Sequence, residues 1–288
     1  MASAAELVAD RIGRFGPIPF SDYLEIVLYD ERVGFYESGG RAGRRGDFIT
    51  SPEIGPLFGA VIGRALDTWW RELGRPDPFV VVDAGAGPGT LARAVLAAQP
   101  ACSGALRYVL CERSAAQRAR HGEGLPLVPA AQAFSRPRGG DEGSEEEEPI
   151  IDVTGRGPLA VSLGQLPVGP FTGVVLANEL LDNLPFDLLV HDGAWREARV
   201  AVGPDGRLVE LLVPARVLPA GLTLRPPHGG RAPVAGAAVA WLAEALERLE
   251  RGVVVMIDYA STTAAMAARP YREWLRTYRG HERGGHYL

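Results

Sequence analysis

This chain contains no lysine: all 30 of its basic residues are arginine, a bias that reads as coding composition rather than as a functional device. It has only two cysteines, Cys102 and Cys111, too few for a disulfide framework and in no metal-ligand pattern. Cys111 fits a small buried strand residue. No apolar run approaches the roughly 18 residues needed to span a bilayer. The stretch Met1 to Gly16 mixes acids and arginines with its apolar residues, so no secretory leader is expected and the cytoplasm is the default location. A formal charge of −5 over 288 residues gives no electrostatic reason to expect nucleic acid or an anionic membrane as partner. The length suits one large α/β domain with additions, or two small domains. No internal repeat is evident.

What is present is concentrated in Val80-Val81-Val82-Asp83-Ala84-Gly85-Ala86-Gly87-Pro88-Gly89-Thr90. The apolar, β-branched run predicts a buried parallel strand. Glycines at 85, 87 and 89 let the backbone turn sharply and approach a ligand closely. Leu91, Val95 and Leu96 then recur at helical spacing, so the turn delivers its ligand to a helix N-terminus. A dinucleotide fingerprint needs glycine three positions after Gly87, where Thr90 stands. The spacing Asp-x-Gly-x-Gly-x-Gly instead resembles motif I of class I S-adenosylmethionine (SAM) methyltransferases; a tight βα turn of another α/β protein is the alternative. Arg107 to Glu112 reads as the next strand. Glu112, at its tip, stands where a doubly wound fold places the acceptor for ribose hydroxyls, though a lone Glu there can also be a solvated loop acid.

Along the chain, residues 1–78 are expected to form an N-terminal helical cap. Within it, Ser21-Asp22 is read as the N-cap of a helix carrying Tyr23, Leu24, Val27 and Leu28. Ser51-Pro52-Glu53 likewise opens a long helix with a broad buried face bearing Leu57, Phe58, Val61, Ile62, Leu66, Trp69 and Trp70. Residues 79–185 form the first part of a SAM-binding core, with a short helix over Ser114 to Arg120 and a strand over 172–177. The acid-rich stretch within 135–150 is expected to be a mobile surface loop, because like charges repel and bury no area. Residues 186–232 read as an inserted region of antiparallel hairpins, turning at Asp192-Gly193 and Asp205-Gly206. Residues 233–288 complete the core, with a helix from Val234 to Leu249 and a parallel strand from Gly252. Strands alternating with helices predict an open, doubly wound, mostly parallel sheet.

Four segments then carry a more specific likeness: Gly16-Pro17-Ile18-Pro19-Phe20, Gly46-Asp47-Phe48-Ile49-Thr50-Ser51-Pro52-Glu53, the Asp83 to Gly89 turn, and Asn178-Glu179-Leu180-Leu181-Asp182-Asn183-Leu184-Pro185. With Asp258-Tyr259 and Thr277 to His281, they run in order through nearly the whole chain. The sequence resembles the MidA-like SAM-dependent methyltransferases, a family that includes a mitochondrial complex I assembly factor methylating an arginine. Two departures stand out. Leu180 and Leu181 replace the family's two aromatics, and Asn183 replaces an alanine. Family members also continue beyond this stretch, whereas 28 residues follow Ala260 here. One strand is expected around Trp274 to Tyr278, leaving the final antiparallel strand of the class I sheet without sequence.

The resemblance implies SAM as cofactor, bound through Asp83, Gly85, Gly87, Gly89 and Glu112, with Asp47, Thr50, Ser51 and Glu53 in the wall over it. An arginine acceptor is cationic and needs negative partners that grip it bidentately. Glu179 and Asp182 lie just past the fourth strand, with a spacing expected to put both on one side of a helical turn. They are assigned to clamp the guanidinium, with Asn178 orienting one of them or a SAM group; Asp182 capping a helix beside a solvated Glu179 is the alternative. Asp258 is a last-strand acid facing the pocket with no role assigned. Three readings stay open: a protein-arginine methyltransferase acting on a subunit of a larger complex, a small-molecule methyltransferase, and a SAM-binding assembly factor without catalysis. A protein substrate, no nucleic acid and no membrane span are expected. The sequence does not specify an oligomeric state.

Overall fold

A computed structural model describes residues 3–37, 56–133, 157–215, 218–219, 222, 225–275, 278–279, 282–283 and 288. Along the chain, α1 (Ala4–Phe15), β1 (Ile18–Pro19), α2 (Phe20–Tyr29) and α3 (Pro56–Glu72) lead to β2 (Phe79–Ala84), α4 (Thr90–Ala97) and β3 (Leu106–Cys111). Short helices α5 (Ala115–Arg118) and α6 (Ala130–Ala133) precede β4 (Leu159–Leu163) and β5 (Phe171–Asn178). There follow β6 (Asp187–His191), β7 (Trp195–Val202), β8 (Leu208–Pro214), β9 (Arg231–Val234), α7 (Gly236–Glu247) and β10 (Leu249–Ile257). The last elements are α8 (Thr263–Ala268), β11 (Tyr278–Arg279) and β12 (Glu282–Arg283). Two compact units result: one of Met1–Phe48, Asp182–Ala240 and Tyr259–Leu288, the other of Ile49–Leu181 and Trp241–Asp258.

The second unit holds the expected parallel sheet, in the order β10-β5-β2-β3-β4. Val80, Val81 and Val82 are buried on both faces of the sheet, which is why β2 reads as a continuous apolar run rather than an alternating one. Val81 packs with Phe79, Leu91, Val95, Leu106, Tyr108 and Leu176 on one side, while Val80 and Val82 pack with Val109, Val161 and Val175 on the other. The edge strand β4 went unrecognised in the sequence, although Leu159-Ala160-Val161 is a short apolar run. α3 packs against α4 in this unit, not in a separate cap. Its buried residues are Gly59, Ile62, Gly63 and Leu66. Leu57 and Val61, expected inside, are 76% and 54% exposed. The reason is close helix approach: a Cβ on Gly59 would stand 2.4 Å from the Ala94 Cβ, so the glycine side of α3, and not its bulkiest side, faces α4.

In the first unit, α1 is nucleated by a capping box. The Ser3 hydroxyl accepts from the Glu6 amide at 3.3 Å, and the Glu6 carboxylate accepts from the Ser3 amide at 2.6 Å. This helix was not anticipated, yet Ser3-x-x-Glu6 before Leu7 and Val8 is its signature. α2 begins at Phe20, so Ser21 lies inside it and is not its N-cap. Pro19 occupies that position without a side-chain cap, and Asp187 substitutes, accepting from the Ser21 amide at 3.2 Å and the hydroxyl at 2.6 Å. The expected hairpins form: β7 pairs antiparallel with β6 and β8, and β9 and β1 extend the sheet. Leu188, Val190, Ala198 and Val200 alternate into a core shared with Val8, Ile12, Ile18 and Phe20. No strand forms over Trp274. Tyr271–Glu273 is a 3₁₀ turn, and the Trp274 indole N–H donates back to Met266 O at 3.1 Å. β11 and β12 pair with each other, and with no other strand among the described residues. No described helix is long and apolar enough to cross a membrane.

Candidate active site

The C-terminal ends of the parallel strands converge on the glycine-rich turn, the crevice where open α/β sheets bind ligands. Gly85, Gly87 and Gly89 have φ of 71°, 53° and 82°, left-handed values that side chains rarely adopt. Gly85 is also hemmed in, since a Cβ there would meet the Leu180 Cδ1 at 2.9 Å. At Gly87 a Cβ would meet nothing within 4 Å. The turn thus presents an open face at Gly87, one that a ligand can approach to backbone contact.

Glu112, immediately after β3, is joined directly to this turn. Its Oε2 accepts from the Gly87 amide at 2.9 Å, and its Oε1 accepts from the Ser114 amide at 2.8 Å. The two features read separately from the sequence therefore form one structure. Asp83 is placed differently from a surface ligand. It is 2% exposed and accepts from the Tyr108 hydroxyl at 3.1 Å. Burial pushes its carboxyl up to about 7, against the opposing effect of the Tyr108 hydrogen bond and with a further push from Glu112. Burial likewise pushes the Cys111 thiol up to about 12, as suits an inert strand residue.

At the end of β5, Asn178 keeps its side-chain oxygen buried without a hydrogen-bond partner. Such an orphaned acceptor is costly unless a ligand supplies a donor. Glu179 follows with φ of 51°, so the expected helical turn does not run through it. A left-handed residue redirects the chain, and the helical geometry is confined to the 3₁₀ turn Leu181–Asn183. The Asp258 carboxylate accepts from the Leu181 amide at 2.8 Å, which gives the previously unassigned acid a local function. Thr50 and Ser51, with Asp47 and Glu53, lie outside the described residues, as does the acidic stretch within 135–150.

Within the first unit, Asp182 is exposed and its Oδ1 accepts from the Asn183 side-chain amide at 2.9 Å. Two phenols hold Asn183 in turn: Tyr29 donates to its carbonyl at 2.9 Å and Tyr36 donates to its Oδ1. The Tyr29 and Tyr36 rings stack with centroids 5.5 Å apart. Sequence reading also missed His121, which is fully buried and lies 2.8 Å from the Gly87 carbonyl oxygen. Among the described residues, no group of three or more His, Cys, Asp or Glu side chains is arranged to hold a metal.

These residues fit a nucleoside's hydroxyls better than a phosphate group. A carboxylate sits at the turn, where it would repel phosphate and accept hydroxyls, and a buried acceptor at Asn178 awaits a donor. Residues 61–287 match the family model described as "Putative S-adenosyl-L-methionine-dependent methyltransferase". The chain is 34% identical over 209 residues to the mitochondrial protein arginine methyltransferase NDUFAF7 homolog of Drosophila melanogaster, covering 69% of this chain and 45% of that protein. It is 28% identical over 270 residues to the mitochondrial protein arginine methyltransferase NDUFAF7 of Bos taurus, covering 86% of this chain and 57% of the relative. It thus spans about half the length of these relatives. A Burkholderia thailandensis protein crystallised with S-adenosyl-homocysteine superposes with a TM-score of 0.74 at 27% identity, over 98% of this chain and 69% of that one. The chain belongs to the family of S-adenosyl-L-methionine-dependent methyltransferases.

Proposed function

We propose that this chain binds SAM at the turn between β2 and α4 and methylates an arginine side chain of a protein, a subunit of a larger complex. The observation that carries the cofactor side is the hydrogen bond from the Gly87 amide to Glu112. A carboxylate has about four acceptor sites, so one side chain can brace the turn and accept the ribose hydroxyls as well. Gly85, Gly87 and Gly89 admit the cofactor to the backbone, and Asn178 offers its buried oxygen as a further acceptor.

SAM supplies an electrophilic methyl group on a sulfonium centre. The chain's own task is then positioning and charge. A guanidinium stays protonated at physiological pH, and Glu179 and Asp182, three residues apart in the chain, are the carboxylates proposed to grip it. Bidentate pairing fixes two of its nitrogens and directs the third toward the methyl group. The arginine nitrogen forms its bond to the methyl carbon as the S–CH3 bond breaks, the electron pair leaving with S-adenosylhomocysteine. The proton shed from the methylated nitrogen passes to one of these carboxylates. The relatives' names, which specify protein arginine methyltransferases, support arginine as the acceptor.

Incubation of the protein with methyl-labelled SAM and host-cell lysate tests this reading. Label in methylarginine of a protein supports it. Label in a small molecule contradicts the protein substrate, and binding without transfer contradicts catalysis.

A further inference from the structure

The His121 imidazole has both nitrogens engaged: Nε2 lies 2.8 Å from the Gly87 carbonyl oxygen, and Nδ1 lies 2.8 Å from the Ser162 hydroxyl. A carbonyl can only accept, so Nε2 carries the proton and Nδ1 accepts from Ser162. The ring is fully buried. Burial first, and the charges of Arg118 and Arg93 after it, hold its pKa below the usual value, in keeping with a neutral ring. Ser162 lies on β4, paired in register with Leu110 of β3, and β3 in turn pairs with β2. The chain of hydrogen bonds therefore crosses from the sheet edge, over β3, to the turn that follows β2. Gly87 is held on both sides of its Cα, the N–H of the Ala86–Gly87 peptide by Glu112 at 2.9 Å and the carbonyl of the Gly87–Pro88 peptide by His121.

Resting on the reading of this turn as the SAM site, we propose that His121 is a positioning residue for cofactor binding. Acting through the Gly87 carbonyl and locked by Ser162, it fixes the backbone on both sides of the Gly87 Cα so that the open face of Gly87 and the Glu112 carboxylate meet the cofactor in a single geometry. Without the His121 bond, the Gly87 carbonyl loses its partner, and the backbone on either side of the Gly87 Cα is less firmly set relative to Glu112. This role needs no contact between His121 and the cofactor. It resembles the way that outer partners orient the groups that do touch a ligand.

The test is calorimetric titration of SAM and S-adenosylhomocysteine into the full chain, wild type and variants, with thermal unfolding of each protein without ligand. His121→Leu is expected to weaken both ligands about tenfold or more. His121→Gln, whose amide nitrogen can replace the Nε2 donor, is expected to restore affinity to within about threefold of wild type. A purely structural residue would lower the unfolding temperature without this rescue of affinity. The imidazole ¹⁵N spectrum should show a neutral, Nε2-protonated ring. Wild-type affinity in folded His121→Leu protein overturns the proposal, as does an Nδ1-protonated ring. If His121→Leu fails to fold, Ser162→Ala decides: weakened binding supports the relay and unchanged binding refutes it. Failure of the wild-type chain to bind either compound would instead remove the SAM reading itself, and this proposal with it.

Discussion

The Asp258 carboxylate accepts a hydrogen bond from the Leu181 amide at 2.8 Å. Asp258 follows β10 and Leu181 follows the neighbouring β5, whose first residue beyond the strand, Glu179, also donates its amide to Ile257 O at 2.8 Å. Side chain and backbone together fix the path of the chain through Glu179. A hydrogen bond to a charged group is worth about 1.5–3 kcal/mol. Asp258→Ala should therefore lower kcat for methyl transfer roughly ten- to a hundredfold, with a smaller change in SAM affinity. Steady-state kinetics beside direct titration checks this, and an unchanged kcat would show that the tie is dispensable.

Asp83 gives a pH signature. Its folded-state pKa is raised from 3.8 to about 7, chiefly by burial. Below 3.8 the folded and unfolded chains both hold this proton, so the group adds no pH dependence. Between 3.8 and about 7, the unfolded chain releases it while the folded chain keeps it, so stability falls as pH rises and levels off above that window. Asp83→Asn keeps an acceptor for Tyr108 and cannot ionise. Its unfolding temperature should gain on the wild type progressively from about pH 4 to about pH 7. Parallel curves for the two proteins across that range would contradict the assignment.

Glu179→Gln and Asp182→Asn should each lower methyl transfer while leaving SAM affinity within a few-fold. Each removes a charge-assisted hydrogen bond of the proposed clamp, worth about 1.5–3 kcal/mol, or roughly ten- to a hundredfold in rate. Tyr36→Phe removes a donor to Asn183, which itself donates to Asp182. It should lower kcat/KM by a smaller factor, about three- to tenfold, again with SAM affinity unchanged. Wild-type turnover in Glu179→Gln and Asp182→Asn would refute the clamp and favour a small-molecule acceptor. Wild-type kcat/KM in Tyr36→Phe alone would leave the clamp standing and remove the tyrosine from it.

The strand, turn and helix from Val80 to Ala97 were legible because every signal in them is local: a β-branched run, glycines at fixed offsets, then helical spacing. Glu112 was legible by its position at the tip of the next strand. The same approach missed His121 and the function of Asp258, because their partners lie 34 and 77 residues away. No local pattern marks a residue whose contacts are set by strand order. β9 was missed for another reason: Arg231-Ala232-Pro233-Val234 is short and contains a proline, and it is a strand by virtue of pairing with β6. The error at Ser21 has the same origin, since the group that caps α2 is Asp187, supplied by β6. At Glu179 the Glu-x-x-Asp spacing suggested a helical turn, and a left-handed backbone at that residue displaced it.

The most direct test of the whole account is calorimetric titration of SAM against the wild-type chain, Gly87→Val and Glu112→Ala. A valine at Gly87 must adopt a φ of 53° or rebuild the turn, and it fills the face left open for the cofactor. Alanine at 112 removes both the brace on the Gly87 amide and the acceptor proposed for the ribose hydroxyls. The account predicts measurable binding by the wild type and a loss of about tenfold or more in each variant. Wild-type affinity in both variants would show that SAM, if bound, lies elsewhere, and would contradict the site assignment outright.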